Sequence, residues 1–173
     1  MRPTAPDPAD TDAWNAYLAE GNARQARKRV AADVLLRDPS GRVLLVNPTY
    51  KPGWDLPGGM AEANEPPDAT VRRELMEELG VRVTLLGLLV VDWVAPHGPW
   101  DDQLAFIFDG GMLNQHQADQ LQPQDDELSE AAFVTTTEAT GRLQDRMQCR
   151  FDHALKALGE GQPLYLRDGV PAL

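Results

Sequence analysis

The chain reads as an α/β protein in which a mixed sheet lies between helical layers. Three observations predict this. Apolar strand-like runs stand both before and after one strongly patterned helix over Pro67 to Leu79. A second helical pattern, from Thr137 to about Leu158, closes most of the chain. At 173 residues, with no internal repeat or linker, the chain suits one core. Strands and helices mixed in this way bury their apolar faces as layers.

In chain order, Met1 to Ala9 is rich in Pro, Ala and Asp and is expected to be mobile. Asp10 to Arg27 reads as a helix, with Trp14, Tyr17 and Leu18 on one face. That stripe is expected to dock on the core or on a second subunit, so a homodimer enters the expectations. The first 28 residues therefore read as tail and helix, and residues 29–173 as the main domain. Val30 to Arg37 and Arg42 to Asn47 read as strands joined by the turn Asp38-Pro39-Ser40-Gly41, where Pro sets one dihedral and Gly permits a positive one. Asp33 is an unusual charge in the first strand; it either faces water or lines a cleft. Asn47 to Gly53 reads as a loop leading into Trp54-Asp55-Leu56-Pro57-Gly58-Gly59.

The helix over Pro67 to Leu79 has clear boundaries. Pro66 and Pro67 suit a first turn. Asp68 places negative charge at the positive end of the macrodipole. Gly80 supplies a left-handed stop. Val71, Leu75 and Leu79 form the buried stripe. Beyond it, Val81 to Val94 reads as two strand segments bent near Gly87, Ala95 to Asp102 as a loop, and Leu104 to Phe108 as a strand ended by Asp109-Gly110-Gly111. Met112 to Asp126 looks irregular, and Ala131 to Val134 reads as a short strand. The closing helix carries Leu143, Met147, Phe151, Leu155 and Leu158 on one face, with a break at Thr140-Gly141. Leu164 to Leu166 adds a short extended piece.

Composition narrows the function classes. Hydrophobic residues make up 42% and charged residues 25%, ordinary for a folded soluble domain. No apolar run approaches a membrane span, and the first dozen residues hold no apolar signal core. Cys149 is the only cysteine, so an intrachain disulfide is excluded and a cytoplasmic location is expected. The formal net charge of −11 argues against a nucleic-acid polymer as partner. An acidic protein acting on an anion needs metal or placed cations to admit it.

Glu74, Glu77 and Glu78 stand at i, i+3 and i+4 and project from a face beside the apolar stripe. Three glutamates on a helix are often only a solvated face. Here the nearby cations, Arg72 and Arg73, both lie on the N-terminal side. A hard divalent cation would relieve the repulsion, and oxygen donors suit Mg²⁺ or Mn²⁺.

These residues belong to a longer pattern. Gly59, Glu65, Arg73, Glu74, Leu75, Glu77, Glu78, Gly80 and Val81 follow the spacing G-x5-E-x7-R-E-U-x-E-E-x-G-U, where U is a bulky aliphatic residue. Accidental agreement in one chain has odds on the order of 10⁻⁶. The chain thus resembles the Nudix hydrolases, with no departure at any fixed position of their box. The resemblance implies the Nudix α/β/α fold. It also implies metal-dependent cleavage of a diphosphate linkage in a nucleoside diphosphate derivative: a nucleoside triphosphate, ADP-ribose or a nucleotide sugar.

It further implies roles. Glu77 and Glu78 would be metal ligands, and Glu74 a ligand or the base that deprotonates water. The Gly58 carbonyl is a candidate ligand, and Glu127, six residues before Phe133, a candidate extra ligand or base. Arg73 would hold a box carboxylate, and Glu65 would brace the loop or reach metal through water. Apart from the resemblance, the basic cluster Arg24, Arg27, Lys28 and Arg29 reads first as favourable charge at a helix C-terminus, with Arg29 the candidate phosphate contact. Lys51 is either a second phosphate contact or a solvated loop lysine. Trp93, His97 and Trp100 could stack on a base, Trp100 foremost, with Trp93 expected in the interior.

Subfamily signals do not choose the substrate. Pro96 stands near the position of a proline in ADP-ribose-specific relatives, but its context Ala95-Pro96-His97 departs from theirs. The tyrosine of dinucleoside-polyphosphate relatives and the extra motif of coenzyme A relatives are absent. A non-catalytic nucleotide-binding or regulatory Nudix domain is the alternative, although such domains often lose box carboxylates. Prenyl diphosphate isomerisation would need a catalytic cysteine, and Cys149 lies far from the box in a predicted core helix.

Overall fold

The computed structural model describes residues 4–172. A sheet has the order β6-β2-β1-β5-β4-β7-β8, with β3 also paired to β1. Its strands are β1 (Arg29–Arg37), β2 (Val43–Pro48), β3 (Gly58–Met60), β4 (Gly87–Val94), β5 (Gln103–Met112), β6 (Leu128–Val134), β7 (Leu164–Arg167) and β8 (Val170–Pro171). The helices are α1 (Thr11–Ala23), α2 (Pro67–Leu79), α3 (Gln115–Gln120), α4 (Thr136–Arg142) and α5 (Asp145–Glu160). Parallel β1–β5 and β4–β7 pairs alternate with antiparallel ones, so the sheet is mixed.

Strand alternation divides the core into two layers. Leu35, Val43, Leu45, Val90, Ile107 and Leu166 face one side and meet Ala139, Phe151, Ala154 and Ala157 of α4 and α5. Val34, Leu36, Leu44 and Val46 face the other side and meet Val71, Leu75 and Leu79 of α2. The predicted α/β/α sandwich is thus present.

α2 runs over the predicted span. Pro67 occupies its first turn, and Gly80 closes it at φ 64°, with its N–H on the Met76 carbonyl and that of Val81 on Leu75. The two backbone bonds satisfy carbonyls that the helix end leaves open. In the hairpin turn, the Asp38 carboxylate accepts from the N–H groups of Ser40 and Arg42, both at 2.9 Å, which makes the connection rigid.

Several elements differ from expectation. α1 stops at Ala23, and none of its residues is buried. Trp14 and Tyr17 pair with each other at 5.8 Å between ring centroids, so the expected docking on the core does not occur. Residues 81–86 form no strand, because Leu86 bonds to Asp109 only at the point where β4 begins. β5 runs on through Asp109-Gly110-Gly111, where a Cβ on Gly110 would strike Val34 and Leu36; glycine lets β5 press against β1 there. The irregular stretch after Met112 contains α3, started by an Asn114–Gln117 capping box. The closing helix breaks at Leu143-Gln144 rather than at Thr140-Gly141, because Thr135 and Glu138 cap α4 as a separate helix. Cys149 is exposed on α5 rather than in the core. Of the mobile segment expected over Met1 to Ala9, residues 1–3 lie outside the described residues, and Asp10 caps α1.

Among the described residues, no helix is long and apolar enough to cross a membrane.

Phe151 is fully buried and anchors α5 to the sheet. Phe151→Ala should cost about 3–5 kcal/mol of unfolding free energy. Urea denaturation monitored by circular dichroism measures it; a loss under about 1 kcal/mol would show that α5 is not held through this residue.

Candidate active site

Two glycines create the site's geometry. Gly58, at φ 146°, pairs with Asp33 across β3 and β1, and a Cβ there would overlap the Ala32 carbonyl. A Cβ on Gly59 would overlap the Glu74 carboxylate. Glycine at both positions lets α2 carry its acids hard against the β1–β3 backbone. The lead-in to the helix includes a short strand, β3, which the sequence did not indicate.

Arg73 organises the acids. Its Nε donates to Glu65 Oε1 at 2.9 Å and its Nη2 to Glu65 Oε2 at 3.1 Å. Nη1 reaches Glu74 Oε1 at 3.0 Å and Glu77 Oε2 at 2.9 Å. Nη2 also donates to the Met60 carbonyl at 3.1 Å. Glu65 accepts further bonds from the Glu62 N–H at 2.9 Å and the Thr70 hydroxyl at 3.0 Å. Hydrogen bonds, those of Arg73 first, hold the Glu65 carboxyl down at about 2. Of the two roles expected for Glu65, bracing is the one this geometry provides.

The three box glutamates do not share one environment. Glu77 is 56% exposed along its side chain and is turned to Arg73. Glu74 is half-buried, and burial raises its pKa against the pull of Arg73. Glu78 is only 4% exposed, and its Oε2 has no hydrogen-bond partner. Burial first, then the nearby Glu74 charge, pushes Glu78 up to about 8; Asp125 and Glu127 add to the rise, and the Gly58 backbone opposes it. The physical reason for the split is helix rotation: Glu78 neighbours Leu75 and Leu79 on the buried side, whereas Glu77 does not.

A cleft of about 480 Å³ opens beside these acids. It gathers Gly58, Gly59 and Glu78 with Arg29, Lys51 and Trp100. Arg29 lies over the Trp100 ring at 4.5 Å. Lys51 is ion-paired with Asp55, on the same wall. Two others of the basic cluster are used elsewhere: Arg24 pairs with Glu20 and Lys28 with Asp102. Trp93, expected in the interior, is only half-buried and donates its indole N–H to Asp102 at 3.0 Å, while His97 reaches the cleft. Glu127 is exposed in the turn before β6, where its backbone carbonyl holds Thr49; its charge is felt at both Glu74 and Glu78.

Sequence reasoning missed Arg150, Met147, Tyr50, Asp55 and Gln103, which also line the cleft. Tertiary folding brings them from the segment between β2 and β3, from β5 and from α5, and no short motif joins all of them. Asp33 does line the cleft, and its period-two step from Leu35 was the available signal.

The NUDIX domain profile matches residues 27–153, which include every box residue. This chain belongs to the NUDIX family. A MutT-like protein of Streptomyces ambofaciens is 42% identical over 52 residues, 30% of this chain and 33% of that protein. An 8-oxo-dGTP diphosphatase of Proteus vulgaris is 50% identical over 36 residues, 21% of this chain and 32% of that protein. The chain thus spans about a third of the length of the curated relatives it matches. The crystal structure of a MutT protein from Methanosarcina mazei Go1 superposes with a TM-score of 0.63 at 21% identity, covering 79% of this chain and 99% of that one; it shows the same fold.

The residues fit the divalent cation that NUDIX proteins generally use. The orphaned Glu78 oxygen and the Glu74 carboxylate at Gly59 are hard oxygen donors whose charges repel. Among the described residues no three His, Cys, Asp or Glu side chains form a ready-made metal cluster, and Arg73 occupies Glu77.

Glu78 makes a stability prediction. Its folded pKa of about 8 stands above the ordinary value of 4.5. A carboxyl raised on folding favours the folded state below its unfolded pKa and loses that advantage as pH rises through the folded one. In metal-free protein, Glu78→Gln should therefore melt higher than the parent at pH 8, by roughly 2–4 °C per kcal/mol regained. The advantage should shrink toward pH 5 and be absent below about pH 4.5. Calorimetry across that range checks it, and a pH-independent difference would contradict the raised pKa.

Gly59→Ala should displace the Glu74 carboxylate and weaken Mn²⁺ binding at least tenfold, read by electron paramagnetic resonance. Unchanged affinity would show that Glu74 holds no metal.

Proposed function

We propose that this protein is a divalent-metal-dependent pyrophosphohydrolase. It cleaves the diphosphate linkage of a nucleoside diphosphate derivative, whether a nucleoside triphosphate, a nucleotide sugar or ADP-ribose, by attack of water at phosphorus. The observation that carries this reading is the buried, unpartnered Glu78 oxygen on the same cleft as Arg29, Lys51 and Trp100. Family membership and the diphosphatase name of the Proteus vulgaris relative support it.

Glu78 and Glu74, with the Gly58 carbonyl beside them, would hold Mg²⁺ or Mn²⁺. The bound metal supplies neutralisation of phosphate oxygens and acidification of water. Arg73 is a positioning residue: it fixes Glu74 and Glu77 and ties both to the loop through Glu65 and Met60. Glu77 completes the metal-facing set when the ligand draws it from Arg73. Arg29 and Lys51 meet the substrate's phosphates and offset the chain's negative charge. Trp100, 54% exposed, offers its ring to a base or sugar. Glu127 or Glu74 takes the proton of the attacking water.

Hydrolysis of a panel of nucleoside triphosphates, nucleotide sugars and ADP-ribose should stop with chelator and return with Mg²⁺ or Mn²⁺. Glu78→Gln should lose several orders of magnitude of kcat. In ¹⁸O-labelled water the label should enter a phosphate product and no sugar carbon. Tight binding across the panel with no label incorporated would favour a non-catalytic binding domain instead.

A further inference from the structure

Alternation along β1 turns Arg29, Ala31, Asp33 and Leu35 toward the α5 side of the sheet. Leu35 enters the core, while Asp33 stops at the floor of the cleft. Asp33 is only 7% exposed; burial first and then the Asp55 charge push its pKa well above the ordinary carboxylate value, while Arg150 and Lys51 pull the other way. A buried carboxyl in that state is costly unless a ligand completes it.

Arg150 reaches the same cleft from α5 and is 9% exposed. Its Nε donates to Asp92 Oδ2 at 2.7 Å. The other Asp92 oxygen accepts from the Gly169 N–H at 3.1 Å, which fixes the aspartate itself. The guanidinium is thus clamped along one edge, and its two Nη groups remain for the cleft. Strand register sets Asp92 beside Ala105 and Ala105 beside Ala31, so only small side chains separate the arginine's anchor from β1.

The charges here disfavour a phosphate. Arg150 is already paired with Asp92, and the Asp33 carboxyl brings no positive charge, so this wall holds no net cation for a phosphate. A neutral group with both donors and acceptors suits such a wall better. Met147 beside Arg150 offers a polarisable apolar contact for a ring face.

We propose that Asp33 and Arg150 together read the hydrogen-bonding edge of a nucleobase, Asp33 accepting from an N–H and the Arg150 Nη groups donating to a carbonyl or ring nitrogen. This pair sets which nucleotide the cleft accepts. The inference rests on the cleft being the nucleotide site described above. It concerns selection among bases, not hydrolysis itself.

The test has two arms on the full chain. One measures kcat/KM for ATP, GTP, CTP and UTP with Mg²⁺. The other measures Kd for the four nucleoside monophosphates without metal, by NMR titration. The parent should prefer one base by about tenfold or more, since a site built to hydrogen-bond an edge rejects analogues lacking it. Asp33→Asn and Arg150→Lys should each reduce that preference ratio about tenfold. An equal loss across all four bases, an unaltered ratio, or a parent with no preference and no monophosphate binding overturns the proposal. If no triphosphate is turned over, the hydrolase reading fails while the Kd arm still decides this one. If Arg150→Lys does not fold, Asp33→Asn decides alone, because it is nearly isosteric and breaks no ion pair among the described residues.

Discussion

Arg73 is the constraint on which the site's arrangement depends. One guanidinium contacts Glu65, Glu74, Glu77 and the Met60 carbonyl. Exposed ion pairs are individually worth about 0–1 kcal/mol. A planar fork that is three-quarters shielded and bonded on several edges does more than its separate pairs suggest. It joins the β3 end to the α2 face, so the loop between them cannot drift. Arg73 is itself held more firmly protonated by these partners. Without it, Glu74 and Glu77 would repel each other, since the other nearby cation of the helix, Arg72, is paired with Asp68.

That clamp explains why two acids one residue apart have different characters. Glu77 spends its charge on Arg73 at the surface. Glu78 is carried by helix rotation under the β1–β3 edge, where nothing satisfies its second oxygen. The protein stores an unfavourable interaction there, of the kind a bound divalent cation would relieve. The surrounding core is ordinary by comparison. Leu75 and Leu79 on one side of the sheet and Phe151 on the other are fully packed.

The opposite wall of the cleft has a different logic. Its arginine is already compensated by an aspartate, because β4 places Asp92 against Arg150 of α5. Metal-directed acids on α2 and a neutral, hydrogen-bonding wall toward α5 suit a substrate that is anionic at one end and polar but uncharged at the other.

The box helix, its proline start, its Gly80 stop, the Val71–Leu75–Leu79 stripe and the acids were all legible in the sequence. Each depends on local periodicity or on a dihedral preference that neighbouring residues reveal. The layered fold followed from the order of those patterns, and the family from the spacing of the box. What only the tertiary structure decided was the difference between Glu77 and Glu78, the strand at Gly58 to Met60, the strandless stretch after Val81, the exposed α1, and the meeting of Asp33 with Arg150. These depend on helix rotation, strand register and contacts between residues far apart in the chain, such as Asp92 with Arg150. Burial decides the ionisation and pairing of such groups, and burial is a property of the packed sheet and helices together, which no window of sequence contains.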